Sequence, residues 1–445
     1  MRILILTLGS QGDVQPYVAL AKGLKSKKHN VAICTSLHFK AFIKTHDIEY
    51  QFMNNGFVEL INHQSSKTIL DGASNFFQKV YSLFTVLSLS KKLMKEIFVD
   101  TWQAAKNTKP DVIIAHPKVL SANHIAEKLD IPIIIVSPIP TFEPTLEFPL
   151  VGLPAFSFLT PSQAKWYNKV SYKLTKKAHH AFDKSINVFR KEQLDLPPCN
   201  PASSPLTDHH NQPIVHLHVF SPEVLPKPKD WREQAHVTGY LFLNNTTSWQ
   251  PPQHLNDFLL AGDAPIYIGF GSMVGGNAKQ LGHLILQAVT KANCRVIIAK
   301  GWGGVEFDDQ EVNDGELNHS KTSSGEIKNI CIIDSAPHDW LFPQVSAVVH
   351  HGGAGSTAAG LKAGKPTLIC PFSMDQPFWG KRVENLMVGL PAIHQRKLTV
   401  NNLAEALIEL TSNQLIKSNA KAMGIKISAE NGVQQAVDII EKALS

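Results

Sequence analysis

The chain has 445 residues, of which 43% are hydrophobic and 18% charged, and its formal net charge is +6; that composition suits a soluble protein of two ordinary-sized domains. No apolar run approaches the length of a membrane span, and the greasiest, "IPIIIVSPI" at 131–139, is broken by prolines. The five cysteines (Cys34, Cys199, Cys294, Cys331, Cys370) form no CxxC, which points to free thiols in a reducing cytoplasm rather than to disulfides or zinc, and the mild positive charge comes with no nucleic-acid module.

The N-terminal "RILILTL" (2–8) predicts a strand buried on both faces rather than a secretory signal. A turn, "GSQGD" (9–13), leads into a helix over 14–29 with Val14, Val18, Ala21 and Leu24 at helical spacing, and a second strand follows at 30–36. The stretch 75–89 is apolar and reads either as a variable loop that lines a pocket or as packing for the domain's helices. Further strands are expected at 111–116 and 131–137, with a helix around 118–129 between them. Residues 140–159 read as an apolar, proline-bearing loop. Residues 165–182, "KWYNKVSYKLTKKAHHAF", place Lys165, Lys169, Lys173, Lys176 and Lys177 on one stripe of a basic amphipathic helix, a pattern that suits an anionic membrane surface; a solvated helix face is the ordinary alternative.

The proline-rich segment 197–265 reads as a connection between domains. The rhythm then restarts, with strands expected at 265–272, 295–301, 329–334, 347–353 and 366–372. Alternating strands and helices imply an α/β architecture of two tandem Rossmann-like domains, with ligands in a cleft between the carboxyl ends of their sheets. The expected divisions are 1–236, 237–425, and a last segment, 426–445, whose helix returns to the first domain.

The most informative stretch is "VHHGGAGSTAAG" (349–360). A strand running into glycines and then a helix points free amides and a positive dipole end at a bound anion. Gly353 and Gly355 let a phosphate approach the backbone, Ser356 and Thr357 add hydroxyls, and His351 is a further donor. There is no Walker lysine and no GxGxxG after the first strand, so nucleotide triphosphate and dinucleotide readings fall behind. "MDQPFWG" (374–380) sets Asp375 beside Gln376, a pair able to bind vicinal hydroxyls; a surface turn is the plain alternative.

Residues 335–383 resemble the donor-binding signature of nucleotide-sugar glycosyltransferases of the GT-B fold, in particular the branch of sterol glucosyltransferases and bacterial antibiotic or lipid glycosyltransferases. "GSQGDVQP" (9–16), residues 220–242 and "IYIGFGSM" (266–273) are similar to the same branch. The resemblance implies that His351, Gly353, Gly355, Ser356, Thr357 and Ser272 meet the donor diphosphate and that Asp375 and Gln376 contact the hexose. It places Ala336 and Pro337 beside the base. Ser335 stands where that family's broader pattern has a stacking aromatic residue, so Trp302 is the substitute candidate, and Ala359 stands where an acidic residue holds the ribose. Asp13 stands at the catalytic base of the branch; by local sequence alone it is equally a cap of the helix that follows.

The implied activity is a metal-independent, inverting hexosyl transfer, with UDP-glucose as co-substrate, no other cofactor, and a lipophilic, sterol-like acceptor. Phe76, Phe142, Phe148 and Phe156 are candidates to line the acceptor pocket. A cytoplasmic protein, peripherally membrane-bound through 165–182 and without nucleic-acid partners, fits this reading. The alternatives are a deoxysugar transferase acting on a polyketide, carotenoid or fatty-acid hydroxyl, and, more remotely, a nucleotide-sugar epimerase or a binding protein.

Overall fold

The computed structural model describes residues 1–57, 59, 76–199, 204–243, 249–271, 278–301, 305 and 329–444, without the side chains of 76–88. Its contacts divide the chain into two compact units, Met1–Leu243 with Glu430–Ser445, and Asn244–Ala429.

The first unit is built on a seven-stranded parallel sheet in the order β3-β2-β1-β4-β5-β6-β7. Its strands are β1 (Arg2–Leu6), β2 (Asn30–Ser36), β3 (Glu49–Met53), β4 (Val112–Ala115), β5 (Ile133–Ser137), β6 (Val215–His218) and β7 (Ala235–Val237). The continuous apolar runs of the sequence are explained by the two-sided covering of this sheet. Ile3 and Ile5 of β1 pack into one buried layer, while Leu4 and Leu6 pack into the other, as alternation along a strand requires. The last helix, Gly432–Leu444, belongs to this unit and sends Ala436, Val437 and Ile440 into the first of those layers. Gly23 on helix Gln11–Ser26 admits it, since a Cβ there would lie 3.1 Å from Val437 Cγ2.

The second unit carries a five-stranded parallel sheet in the order β10-β9-β8-β11-β12, made of β8 (Ile266–Gly269), β9 (Val296–Ala299), β10 (Ile330–Ile333), β11 (Ala347–His350) and β12 (Thr367–Ile369). The same alternation holds here: Val296 and Ile298 face one core layer, Ile297 and Ala299 the other. Both units are therefore doubly wound. In each, the chain leaves the middle strand first to one side and later to the other, so a crevice opens at the carboxyl ends of β1 and β4, and again at those of β8 and β11.

Three expectations are corrected. Residues 197–265 are not a linker throughout, because β6 and β7 lie inside them and pair with the first sheet; strands of four and three residues between prolines are too short to show a period. Residues 76–89 open the helix Phe76–Thr108, so of the two readings of that stretch the loop is the one set aside. The basic stretch is two helices, Pro161–Ser171 and Lys173–His180, broken at the buried Tyr172. Among the described residues, no helix is long and apolar enough to cross a membrane.

Candidate active site

The first crevice is organised around Asp13. Ser10 caps helix Gln11–Ser26, and Asp13, in its first turn, reaches back so that Oδ2 accepts from Ser10 N at 2.8 Å and Ser10 Oγ at 3.2 Å. The turn tolerates this because position 9 is glycine: its φ is +148°, and a Cβ there would strike the Asp13 carboxylate. The other oxygen, Oδ1, faces across the switch point to the segment after β4. Lys118 Nζ donates to it at 2.8 Å, and His116 Nε2 lies 3.2 Å away, off the line of a good hydrogen bond. Asp13 is thus both cap and crevice carboxylate, one role per oxygen.

The electrostatics follow from these partners. Burial alone would raise the Asp13 pKa, but Lys118 and His116 outweigh it and hold the group well below the usual carboxylate range. His116 is buried and pulled below its ordinary value by that burial, against the opposing pull of Asp13. Its Nδ1 accepts from Lys118 N at 3.0 Å, which leaves the proton on Nε2, facing Asp13. The ring then has no free lone pair, so the carboxylate is the one base of this trio.

A narrow pocket adjoins the trio, lined by His116, Leu120, Ile135, Phe142, His179 and Leu206 among others. Phe142 therefore shares a pocket with His116, the neighbour of the candidate base. Phe148 does not line this pocket and is half-buried, and Phe156 is 40% exposed at the surface. Phe76 opens the long helix, but its side chain lies outside the described residues.

The second crevice is formed by the turn after β11. Gly353 caps helix Ala354–Lys362 in extended conformation, so the first-turn amides of Ala354, Gly355 and Ser356 have no carbonyl of the preceding turn to bind. Gly352 turns the chain at φ +93° and gives its N–H to His350 Nδ1 at 2.9 Å. The His351 ring sits against two glycines: a Cβ on Gly271, after β8, would lie 3.2 Å from its Cε1, and one on Gly353 would lie 2.7 Å from its Nε2. Burial lowers the His351 pKa to about 4, so the ring is neutral at physiological pH, and among the described residues its buried Nδ1 has no partner. Ser356 is half-buried at the helix start, whereas Thr357 is buried and its hydroxyl is given back to Gly353 O at 3.0 Å.

Asp375 and Gln376 open helix Gln376–Asn385. Gln376 is 3% exposed, and its Oε1 accepts from Phe372 N at 2.6 Å and Ser373 N at 3.1 Å, so it pins the turn after β12. Asp375 Oδ2 accepts from Trp379 Nε1 at 2.9 Å. Met374 between them and the turn holds φ +61°, a left-handed backbone rare for a side chain of this kind. Ala336 and Pro337 are half-buried in the loop after β10. Ser272 and Trp302 lie outside the described residues.

Sequence reasoning missed His116 and Lys118; "HPK" (116–118) at the end of a predicted strand marks them as residues at a strand terminus but not as partners of Asp13. It also missed a buried network in the first unit. His216 Nδ1 lies 3.1 Å from Glu143 Oε1, His216 Nε2 2.7 Å from Ser137 Oγ, and Arg232 donates to Glu143 at 2.6 Å. With His218 these residues are grouped closely enough to hold a metal ion. Arg232 already supplies the countercharge, and both His216 nitrogens are engaged, so the group reads as an internal ion-pair network.

Comparison with known proteins bears on the whole chain. Residues 3–144 match the family model of the glycosyltransferase family 28 N-terminal domain, and residues 305–442 match that of the erythromycin biosynthesis protein CIII-like C-terminal domain. Two Arabidopsis thaliana proteins named sterol 3-beta-glucosyltransferase are similar over the full chain, UGT80A2 at 34% identity with 66% of its length covered and UGT80B1 at 33% with 68% covered. A sterol 3-beta-glucosyltransferase of Cryptococcus neoformans is 34% identical over 100% of this chain, which spans only 27% of that longer protein. Among solved structures, the glycotransferase of kitacinnamycin superposes with a TM-score of 0.68 at 17% identity, covering 99% of this chain and 98% of that one, a likeness of fold.

Proposed function

We propose, from the premise that this chain belongs to the glycosyltransferase family of the sterol 3-beta-glucosyltransferases, that it transfers glucose from UDP-glucose to the hydroxyl of a sterol. The observation that carries this reading is the Asp13 carboxylate, held ionised at the switch point of the first sheet, where Lys118 donates to it and its other neighbour, His116, lines a narrow pocket with Leu120, Ile135 and Phe142. In the proposed reaction the sterol oxygen attacks the anomeric carbon and the bond from that carbon to the diphosphate breaks. UDP leaves with the electron pair, and the hydroxyl proton passes to Asp13. A carboxylate with a depressed pKa takes that proton only as C–O bond formation acidifies the oxygen, so the transfer is concerted with attack. One displacement inverts the anomeric centre.

The second unit supplies the other half of the chemistry. The first-turn amides of helix Ala354–Lys362 and the neutral His351 are donors suited to the growing charge on the leaving diphosphate, without calling on a metal ion. Asp375 is the group offered to the hexose hydroxyls. Peripheral contact with a membrane through residues 165–182 accords with an acceptor that resides in lipid. The reading is tested by UDP release from UDP-glucose in mixed micelles, in the presence of EDTA. Release that depends on added sterol supports it. Release at the same rate without sterol indicates donor hydrolysis and counts against the acceptor class.

A further inference from the structure

Helix Lys173–His180 buries none of its residues. Helix Pro161–Ser171 before it buries only Asn168 and Ser171, which anchor it to the loop at Leu146 O and Leu150 N, each at 2.8 Å. The opposite side of this pair is left open. Trp166 is 68% exposed and Leu174 47%, and beside them Phe158 is 78% exposed. These are not stray side chains: Phe156 packs on Phe158 at 5.2 Å between ring centroids and on Tyr167 at 5.3 Å, while Tyr167 Oη donates to Pro154 O at 3.0 Å. The aromatic tip is thereby tied to the first helix.

Along the two helices themselves the charge has one sign. From Thr160 to Phe182 there are five lysines and no acidic residue. All five, Lys165, Lys169, Lys173, Lys176 and Lys177, are exposed, and among the described residues none is in an ion pair. An exposed aromatic tip followed by two helices that carry five exposed lysines is complementary to an anionic bilayer, with rings at the headgroup boundary and ammonium groups among the phosphates. The second helix also gives His179 to the pocket that His116 lines, so lipid-facing and acceptor-facing surfaces share one element.

We propose that the aromatic tip at 154–158 and the helices Pro161–Ser171 and Lys173–His180 form the surface by which this chain seats on an anionic phospholipid bilayer and draws its acceptor from it. The proposal rests on the reading of the acceptor as a membrane sterol. The test is sedimentation of the full chain with phosphatidylcholine vesicles, with and without phosphatidylserine, at low and high sodium chloride. Two variants are compared with the wild type, Phe158→Ser/Trp166→Ser and Lys173→Glu/Lys177→Glu. Wild type should sediment with phosphatidylserine vesicles and lose this with salt; each lysine charge removed should weaken partitioning about five-fold, and loss of both rings about ten-fold or more.

Both variants should keep wild-type transfer to sterol dissolved in detergent micelles, which also shows that they fold. Wild type remaining in the supernatant, or both variants sedimenting as it does, overturns the proposal. So does self-association of the wild type that the variants lose while vesicle binding is absent, since the face is then a contact between copies. Vesicle binding that follows the prediction while no protein transfers glucose leaves the surface standing and removes the function.

Discussion

His116 and Asp13 meet across the switch point of the first sheet, with Nε2 3.2 Å from Oδ1, while Lys118 binds the same oxygen at 2.8 Å. The pairing exists because β1 and β4 are neighbours in register, Leu6 opposite Ala115, although more than a hundred residues separate their loops. It decides the protonation state of the candidate base.

Removing the cation should be visible in a pH profile. Lys118 is the strongest of the influences that hold the Asp13 pKa down, and burial opposes it. In Lys118→Met the carboxyl pKa rises, so the acid limb of kcat/KM moves to higher pH than in the wild type. A profile that stays in place, with activity lost uniformly, would assign Lys118 to substrate binding instead.

The turn after β11 gives a steric prediction. Gly353 has an ordinary extended backbone, so alanine there is unstrained, but its Cβ would lie 2.7 Å from His351 Nε2 and displace the ring. Gly353→Ala and His351→Ala should both weaken UDP binding, by about 10–100-fold for a lost hydrogen bond to a charged group, with little change in Tm. Calorimetric titration with UDP checks this; unchanged affinity in both would take His351 away from the diphosphate.

The buried network predicts a stability effect. Burial pushes the Glu143 carboxyl up, but His216 and Arg232 outweigh it and bring its pKa from 4.5 down to about 2. A depressed carboxylate stabilises the fold above its ordinary pKa, and that contribution is lost as pH falls from 4.5 to about 2. Glu143→Gln leaves Arg232 and His216 without their anion and should cost roughly 2–4 kcal/mol at neutral pH, less than a fully dry pair because Arg232 is partly exposed. Urea unfolding of the two proteins at neutral and acid pH measures both parts.

Much of this arrangement is legible in the sequence, and the illegible part has a common cause. The runs at 2–8, 111–116 and 347–353 announce themselves because both faces of each sheet are covered, so successive strand residues are apolar rather than alternating. The donor turn is legible because its glycines, histidines and hydroxyls are contiguous. His116 and Lys118 are invisible as partners of Asp13 because the pairing is made by strand order, which no local pattern states. Thr357 and Gln376 show a different limit: composition makes them candidate ligands, and only the hydrogen bonds to Gly353 O, Phe372 N and Ser373 N reveal that they first hold their own turns.

The measurement closest to the central claim is glucosyl transfer by Asp13→Asn, made alongside its UDP affinity and Tm. Asparagine keeps an oxygen for Ser10 N and so keeps the helix cap, but it cannot take the hydroxyl proton. The account predicts that sterol-dependent turnover falls by ~10²–10⁴ while UDP binding stays near wild type, with Tm lowered because Lys118 loses its anion. Turnover within a few-fold of wild type, in a variant that binds UDP normally, would contradict the assignment of Asp13 as the base.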